Sequence, residues 1–156
     1  MNLKQYGYFT SNDFKDYTFY SEGPKGKIKK TVNFLKMPYM GIMVYNLGFG
    51  DENPVTGKIK DKVVTNNQDR DTVLATVAAT INEFCDHHGD HHILVVGSTP
   101  SRTRLYQMAV SHLWDQIRLE FILLGLKNDQ WSYFERHINY DAFLVKKKEI
   151  IKLNIQ

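Results

Sequence analysis

The sequence predicts a single α+β domain, in which a largely antiparallel or mixed β-sheet carries two main helices packed on one face. A length of 156 residues with 42% hydrophobic and 24% charged residues suits one globular domain. Apolar residues alternate with period two in the first part of the chain, and helical spacing appears only later. No Pro/Ser/Gly-rich linker or internal repeat divides the sequence. We therefore expect one domain over residues 1–156, with a core over about 17–147.

The first part of the chain is predicted to form strands, at residues 17–20, 26–37, 39–49 and 58–64. In residues 26–37 the side chains of Ile28, Val32 and Phe34 share one face, while the lysines take mostly exposed positions. Gly23-Pro24 supplies the preceding turn. The best hairpin is expected between residues 39–49 and 58–64, across a polar connection.

The remaining chain is predicted to alternate helices with strands. A first helix begins at Asp69 or Asp71 and ends at Gly89, and a buried strand follows at residues 93–96. Pro100 lies near the first turn of a second helix, whose expected buried face is Leu105, Met108 or Ala109, Leu113 and Ile117. A strand is expected at residues 121–126, and residues 142–146 and 150–155 form closing strands or a ladder and tail.

Composition narrows the function classes. Cys85 is the only cysteine, so no internal disulfide can form, and its place on an apolar helix face predicts a core residue. The apolar runs are too short to cross a bilayer, and we expect a soluble cytoplasmic protein without a membrane partner. The net charge is +3, and lysines cluster in two segments, residues 25–36 and 146–148. These segments would form one positive face if they were neighbours.

The strongest candidate site is the connection from residue 95 to residue 106, which joins a buried strand to a helix N-terminus. Free N–H groups and the helix dipole favour an anion there. The predicted ligand-binding residues are Ser98, Thr99, Arg102 and Arg104, together with Asn67 from the polar segment before the first helix. The alternative is structural: Ser98 or Thr99 caps the helix, and the arginines lie on a solvated face or pair with Asp51, Glu52 or Asp61.

Two further segments carry chemically active side chains. His137 is the best general acid–base candidate, and Tyr106 joins it in a catalytic hypothesis. The large aromatics at residues 131, 134 and 143 are more simply explained as core. Residues 86–92 are rich in histidine but lack the i, i+4 spacing of a helical zinc pair, so we expect no functional metal site and no cofactor.

Several sequence segments resemble a known family. The segments are residues 45–51, 65–67, 73–77, 97–99 and 102–106, with further likeness at 139–140 and 142–145. On these residues the chain resembles an uncharacterised family of bacterial, Bacteroidota-type proteins about 150 residues long. The likeness extends from about residue 39 to residue 147 and implies a bacterial cytoplasmic setting without assigning a reaction.

Three functional hypotheses follow. The first is a phosphate- or anion-binding domain whose partner is single-stranded nucleic acid or a nucleotide. The second is a metal-independent ribonuclease toxin of a toxin–antitoxin pair, with His137 and Tyr106 near the arginines. The third is a non-enzymatic interaction module, a homodimer that pairs exposed sheet edges.

Overall fold

The computed structural model describes residues 3–60 and 67–149 and confirms the α+β class: a mixed sheet with helices packed on one face. The strands are β1 (Tyr8–Ser11), β2 (Asp16–Gly23), β3 (Gly26–Tyr39), β4 (Ile42–Glu52), β5 (Ile59–Lys60), β6 (Ile93–Val95), β7 (Phe121–Lys127), β8 (Gln130–Tyr133) and β9 (Ala142–Lys147). The helices are α1 (Arg70–His88), α2 (Pro100–His112) and α3 (Trp114–Glu120). None of the helices within these ranges is long and apolar enough to cross a membrane.

The strands lie in the order β1-β2-β3-β4-β6-β9-β7-β8, and β5 pairs with β4 off this path. The described pairings are antiparallel except that of β4 with β6, which is parallel. A parallel pair requires a crossover, and α1 provides it. The carboxyl ends of β4 and β6 therefore lie at the same edge of the sheet.

The main hairpin differs from the expected one. β4 pairs along its length with β3, from Tyr39 opposite Ile42 to Lys30 opposite Asp51. β5 pairs only with the end of β4, and residues 61–64 of the predicted strand lie outside the described residues. The turn of the long hairpin is Met40-Gly41, with φ values of 49° and 80°. Two successive positive φ angles match the twist of a hairpin, but methionine is an unusual residue for the first position.

The sheet separates two apolar clusters. The larger lies beneath the helices and includes Phe34, Phe84 and Phe143, all almost fully buried. The smaller, on the opposite face, consists of Val44, Leu94, Ala142 and Leu144 with partly buried neighbours. Tyr39 on β3 and Trp131 on β8 touch there, with ring centroids 6.2 Å apart. Because four strands separate β3 from β8 in the sheet order, this contact requires the sheet to curl around the smaller cluster.

Both long helices begin at the predicted positions. Asp69 precedes α1 but its side chain makes no capping hydrogen bond, and Gly89 at φ 94° ends the helix by donating its N–H to the carbonyl of Cys85. Thr99 precedes α2, with Pro100 at the first position.

The predicted buried face of α2 is wrong in part. Leu113 and Ile117 are buried as expected, although Ile117 lies on α3, and of the alternatives Met108 and Ala109 it is Ala109 that is buried; Leu105, however, is 44% exposed. Polar residues take the inner positions instead: the buried residues of α2 are Arg102, Thr103, Gln107 and Ala109. Of the predicted ligand-binding residues on α2, Arg102 thus lies inside the domain, whereas Arg104 is exposed.

Candidate anion site at the start of helix α2

The connection from β6 to α2 is held tightly by backbone and hydroxyl groups. The Oγ1 of Thr99 accepts a hydrogen bond from the Arg102 N–H at 3.3 Å, which confirms that Thr99 caps the helix. The Gly97 N–H donates to Thr103 Oγ1 at 2.9 Å. A Cβ atom on Gly97 would lie 2.5 Å from the Thr103 nitrogen, so only glycine lets this loop lie against the first turn.

Arg102 is the unusual residue of this turn. It is 4% exposed, and among the described residues its Nε and Nη1 atoms are buried without a hydrogen-bond partner. A guanidinium stays charged at every physiological pH, and a buried charge without a partner is strongly unfavourable. The alternative pairing of Arg102 with Asp51 or Glu52 is not found among the described contacts, in which Asp51 binds Lys30 at 2.5 Å and Glu52 binds Lys29 at 2.6 Å. Asp61 lies outside the described residues.

Arg104 takes a different position from Arg102. Its side chain is exposed, and Nη1 donates a hydrogen bond to the Oδ1 of Asn139. Gln107 fastens the same loop: its amide nitrogen donates to the Ile138 carbonyl, and its Oε1 accepts from the Tyr140 N–H at 2.9 Å. The loop before β9 is therefore bound to α2, and it contacts Arg104 and Gln107.

The two catalytic candidates are not joined by a contact in the described part of the chain. His137 is exposed at φ 71° and makes no hydrogen bond or ion pair there. The Tyr106 ring instead contacts the Phe49 ring, with centroids 6.4 Å apart. A proton-transfer role for His137 stays a prediction.

Asn67 has a clear structural task. Its side chain is buried, its Oδ1 accepts from the Lys25 N–H at 2.8 Å, and its Nδ2 donates to Ser21 Oγ at 3.1 Å and to the Gly26 carbonyl at 2.9 Å. These bonds hold the turn between β2 and β3. Ser98 and Thr99 are exposed at the helix entrance.

A cavity of about 770 Å³ lies between α1, α2 and the sheet. Its lining is mostly aliphatic, and it also includes the polar or charged side chains of Lys30, Asn67, Gln68, Asp69, Arg70, Asp71, Thr72 and Tyr106. Lys30 is buried in its ion pair with Asp51, and its ammonium lies 5.9 Å from the centroid of the Phe49 ring.

A hydrogen-bonded carboxylate beside this cavity was not predicted. Asp69 Oδ2 accepts from Tyr6 Oη at 2.6 Å and from Ser21 Oγ at 2.5 Å. Burial, and secondly the hydrogen bond to this carboxylate, raise the pKa of Tyr6. Asp69 thus joins the N-terminal segment, β2 and the start of α1, instead of capping the helix.

The two lysine groups lie on strands that are not neighbours in the sheet. β3, which carries the first lysine group, is separated from β9 by β4 and β6. Lys147 binds Asp86 at 2.9 Å, and Lys148 donates to the Arg118 carbonyl.

In the histidine-rich segment, His87 stacks on Phe14 with centroids 3.5 Å apart. Among the described residues, no group of three or more His, Cys, Asp or Glu side chains could hold a metal ion.

A model of a family of unknown function, DUF6934, matches residues 2–148. The chain belongs to this family. No curated protein and no solved structure matches the sequence. Membership of DUF6934 confirms the resemblance to an uncharacterised family, whereas the bacterial origin stays a prediction. The family description assigns no reaction.

Proposed function

We propose that this DUF6934 domain binds a small anionic ligand, with a phosphate or carboxylate group, at the first turn of α2. The observation that carries the proposal is the Arg102 guanidinium, whose Nε and Nη1 atoms are buried and unpartnered among the described residues. Between them these atoms carry three N–H groups. An anion would satisfy them with charge-assisted hydrogen bonds, and the dipole at the N-terminus of α2 would add to the attraction.

The burial of Arg102 favours a compact ligand over a continuous nucleic-acid strand. Strand binding needs cations that reach successive phosphates along an open groove. Here Arg102 is enclosed, Arg104 binds Asn139, and several lysines already contact carboxylates. Of the partners considered from the sequence, a nucleotide-sized molecule therefore fits better than single-stranded nucleic acid.

The two other hypotheses have less support from the contacts. The ribonuclease hypothesis needs His137 beside a cation and a substrate, and His137 contacts neither arginine in the described residues. The interaction-module hypothesis requires arginines paired with carboxylates and no nearby cavity, but Arg102 is unpaired there and a cavity lies between the helices. Both stay predictions.

The experiment compares three probes at constant ionic strength: inorganic phosphate, adenosine monophosphate and a short thymidine oligonucleotide. Thermal unfolding and calorimetric titration are measured for the wild type, Arg102→Gln and the matched control Arg104→Gln on the same helix. We expect phosphate or the monophosphate to stabilise the wild type and Arg104→Gln, and Arg102→Gln to lose at least tenfold in affinity. Oligonucleotide binding that Arg104→Gln loses and Arg102→Gln keeps, and that weakens when the titration is repeated at higher ionic strength, would overturn the proposal in favour of surface binding of nucleic acid.

A further inference from the structure

The cavity between the helices and the sheet has the size of a small-molecule site. Pockets for such ligands measure about 300–1,000 Å³ and are lined mainly by apolar side chains. The cavity measures about 770 Å³, and its apolar lining includes Leu74 on α1, Leu47 on the sheet and Ile117 on α3. A space this large leaves its lining without contacts that a packed interior would provide. An apolar molecule of suitable size would restore those contacts.

Leu105 and Met108 on α2 lie at the mouth of the cavity. Both line it, yet they are 44% and 46% exposed, so they separate its interior from solvent. Phe121 and Phe143 also line it and are almost fully buried in the larger core cluster. The cavity therefore extends from the surface of α2 to the core. The flexible methionine side chain at the mouth adapts to ligands of different shape.

The charged side chains that line the cavity balance one another. Two are basic, Lys30 and Arg70, and two are acidic, Asp69 and Asp71. Lys30 binds Asp51 at 2.5 Å, and the Nε of Arg70 lies 3.6 Å from the Oδ1 of Asp71. Asp69 accepts hydrogen bonds from two hydroxyl groups, at 2.5 and 2.6 Å. Because transfer of an ion from water is costly without a countercharge, this balanced lining favours an uncharged ligand.

Tyr106 supplies a polar group that such a ligand can use. It lines the cavity, its ring lies against Phe49, and its hydroxyl makes no hydrogen bond to the described residues. By contrast, the Asn67 side-chain amide already donates to Ser21 Oγ and to the Gly26 carbonyl. A phenol hydroxyl both donates and accepts. Tyr106 can therefore bind one oxygen of a ligand whose remainder is apolar.

We propose that this cavity is a second binding site, whose ligand is an uncharged aliphatic molecule with one hydroxyl or carbonyl oxygen that hydrogen-bonds to Tyr106. The inference does not rest on the proposed function, because Arg102 does not line the cavity. Most of the apolar lining is aliphatic, which favours an alkyl chain over an aromatic ring that would gain from stacking.

The test measures binding of 1-butanol, 1-hexanol and 1-octanol to the wild type by calorimetry. Affinity should rise roughly fourfold for each methylene that enters the cavity. Octanoate and octylammonium have a similar alkyl chain with a negative or a positive charge, and each should bind at least tenfold more weakly than 1-octanol. Inorganic phosphate should not displace 1-octanol, because the cavity lies apart from Arg102.

Two matched pairs of variants locate the ligand. Met108→Trp narrows the mouth and should weaken 1-octanol at least tenfold, whereas Leu119→Trp, at a residue that is 68% exposed on α3 and does not line the cavity, should change its affinity less than twofold. Tyr106→Phe keeps the ring, removes the hydroxyl and should weaken 1-octanol roughly fivefold. Tyr133→Phe, at a residue that is 76% exposed on β8, should leave the affinity unchanged. Urea unfolding of each variant verifies that it is folded.

Several results would overturn the proposal. Affinity that is independent of chain length, or octanoate that binds as tightly as 1-octanol, would exclude an uncharged aliphatic ligand. Equal effects within either pair of variants would exclude the cavity as its site, and displacement by phosphate would exclude two separate sites. If no alkanol binds and the domain forms dimers that Leu105→Ser abolishes, a second copy covers the mouth instead. The anion site is tested separately, by phosphate binding to Arg102→Gln, so the two failures are distinguishable.

Discussion

Replacement of Arg102 by methionine should make the ligand-free domain more stable. Methionine keeps an apolar stem of similar length and removes the buried Nε and Nη1 atoms, which have no partner among the described residues. An unsatisfied buried donor costs about 1–3 kcal/mol. Taking the lower limit for each of the two atoms, we expect Arg102→Met to raise the free energy of unfolding by about 2 kcal/mol. For a domain of this size that corresponds to a rise in Tm of about 4–8 °C.

The assay is urea unfolding followed by circular dichroism, first in a chloride buffer free of phosphate, sulfate and carboxylates. A ligand at a hundred times its Kd stabilises the native state by about 2.7 kcal/mol. Addition of the anion that binds most tightly should therefore raise the wild type above Arg102→Met and reverse their order. Arg118→Met is the control, because Arg118 is exposed and its Nε lies 3.7 Å from Asp115 Oδ1; a change within about 1 kcal/mol is expected.

One result would refute the reasoning directly. If Arg102→Met lost more than about 1 kcal/mol in the anion-free buffer, and no anion stabilised the wild type, the guanidinium would be satisfied within the chain. Its burial would then be structural, and the candidate site would lose the observation on which it depends.

Three further predictions test the surroundings of the site. Gly97→Ala should lower the free energy of unfolding by about 1–3 kcal/mol in chemical unfolding, because the new Cβ would meet the backbone of Thr103. The control Gly7→Ala, whose Cβ would have no atom within 4 Å, should change it by less than about 1 kcal/mol. Burial raises the pKa of Cys85 to about 11, so a thiol reagent at pH 8 should label the unfolded chain quickly and the native protein slowly; rapid native labelling would contradict the buried position. Burial, together with the charges of Lys146 and His91, lowers the pKa of His92 in the folded protein. The unfolded chain therefore binds the proton more readily, and the free energy of unfolding should fall as the pH drops from about 6.5 toward the folded pKa. His92→Gln should show a weaker dependence of the free energy of unfolding on pH between pH 7.5 and 5.5, and an unchanged slope would exclude His92 as the cause.

The sequence predicted those elements in which buried side chains recur with the period of a strand, or in which glycine or proline marks a helix end. Phe34 and Val32 alternate with exposed residues in β3, and Gly89 and Pro100 are found at the expected helix ends. The Met40-Gly41 turn could not be predicted in the same way, because the positive φ of Met40 is imposed by the pairing of two long strands. The short strands β1 and β8 were not predicted, and α3 was predicted only as a continuation of the second helix through Ile117.

Polar side chains were harder to place because their partners are distant in sequence. Asp69 has the position of a capping residue, but two hydroxyl groups from Tyr6 and Ser21 bind its carboxylate instead. Which groups bind the Asp69 carboxylate depends on how β2 and the N-terminal segment pack against α1. No spacing within the helix itself carries that information.

The two arginines illustrate what helical geometry alone could have shown. Residues two apart on a helix point about 200° away from each other, so Arg102 and Arg104 cannot both face one ligand. The structure places one inside the domain and the other against Asn139. Their proximity in sequence suggested a clamp, while their angular separation predicts a single binding arginine.

Charge balance at one edge of the sheet shows why Arg102 differs from the other basic residues. The strands β4 and β6 run parallel, so the acidic end of β4 lies in the same direction along the sheet as the start of α2, with residues 47–50 between it and the paired segment. Those acids, Asp51 and Glu52, are bound by lysines on β3, so they are not hydrogen-bonded to Arg102. If Arg102 were present only for stability, a buried carboxylate beside it or an apolar residue in its place would serve better. A buried guanidinium without a partner among the described residues is instead the arrangement that a bound anion would complete.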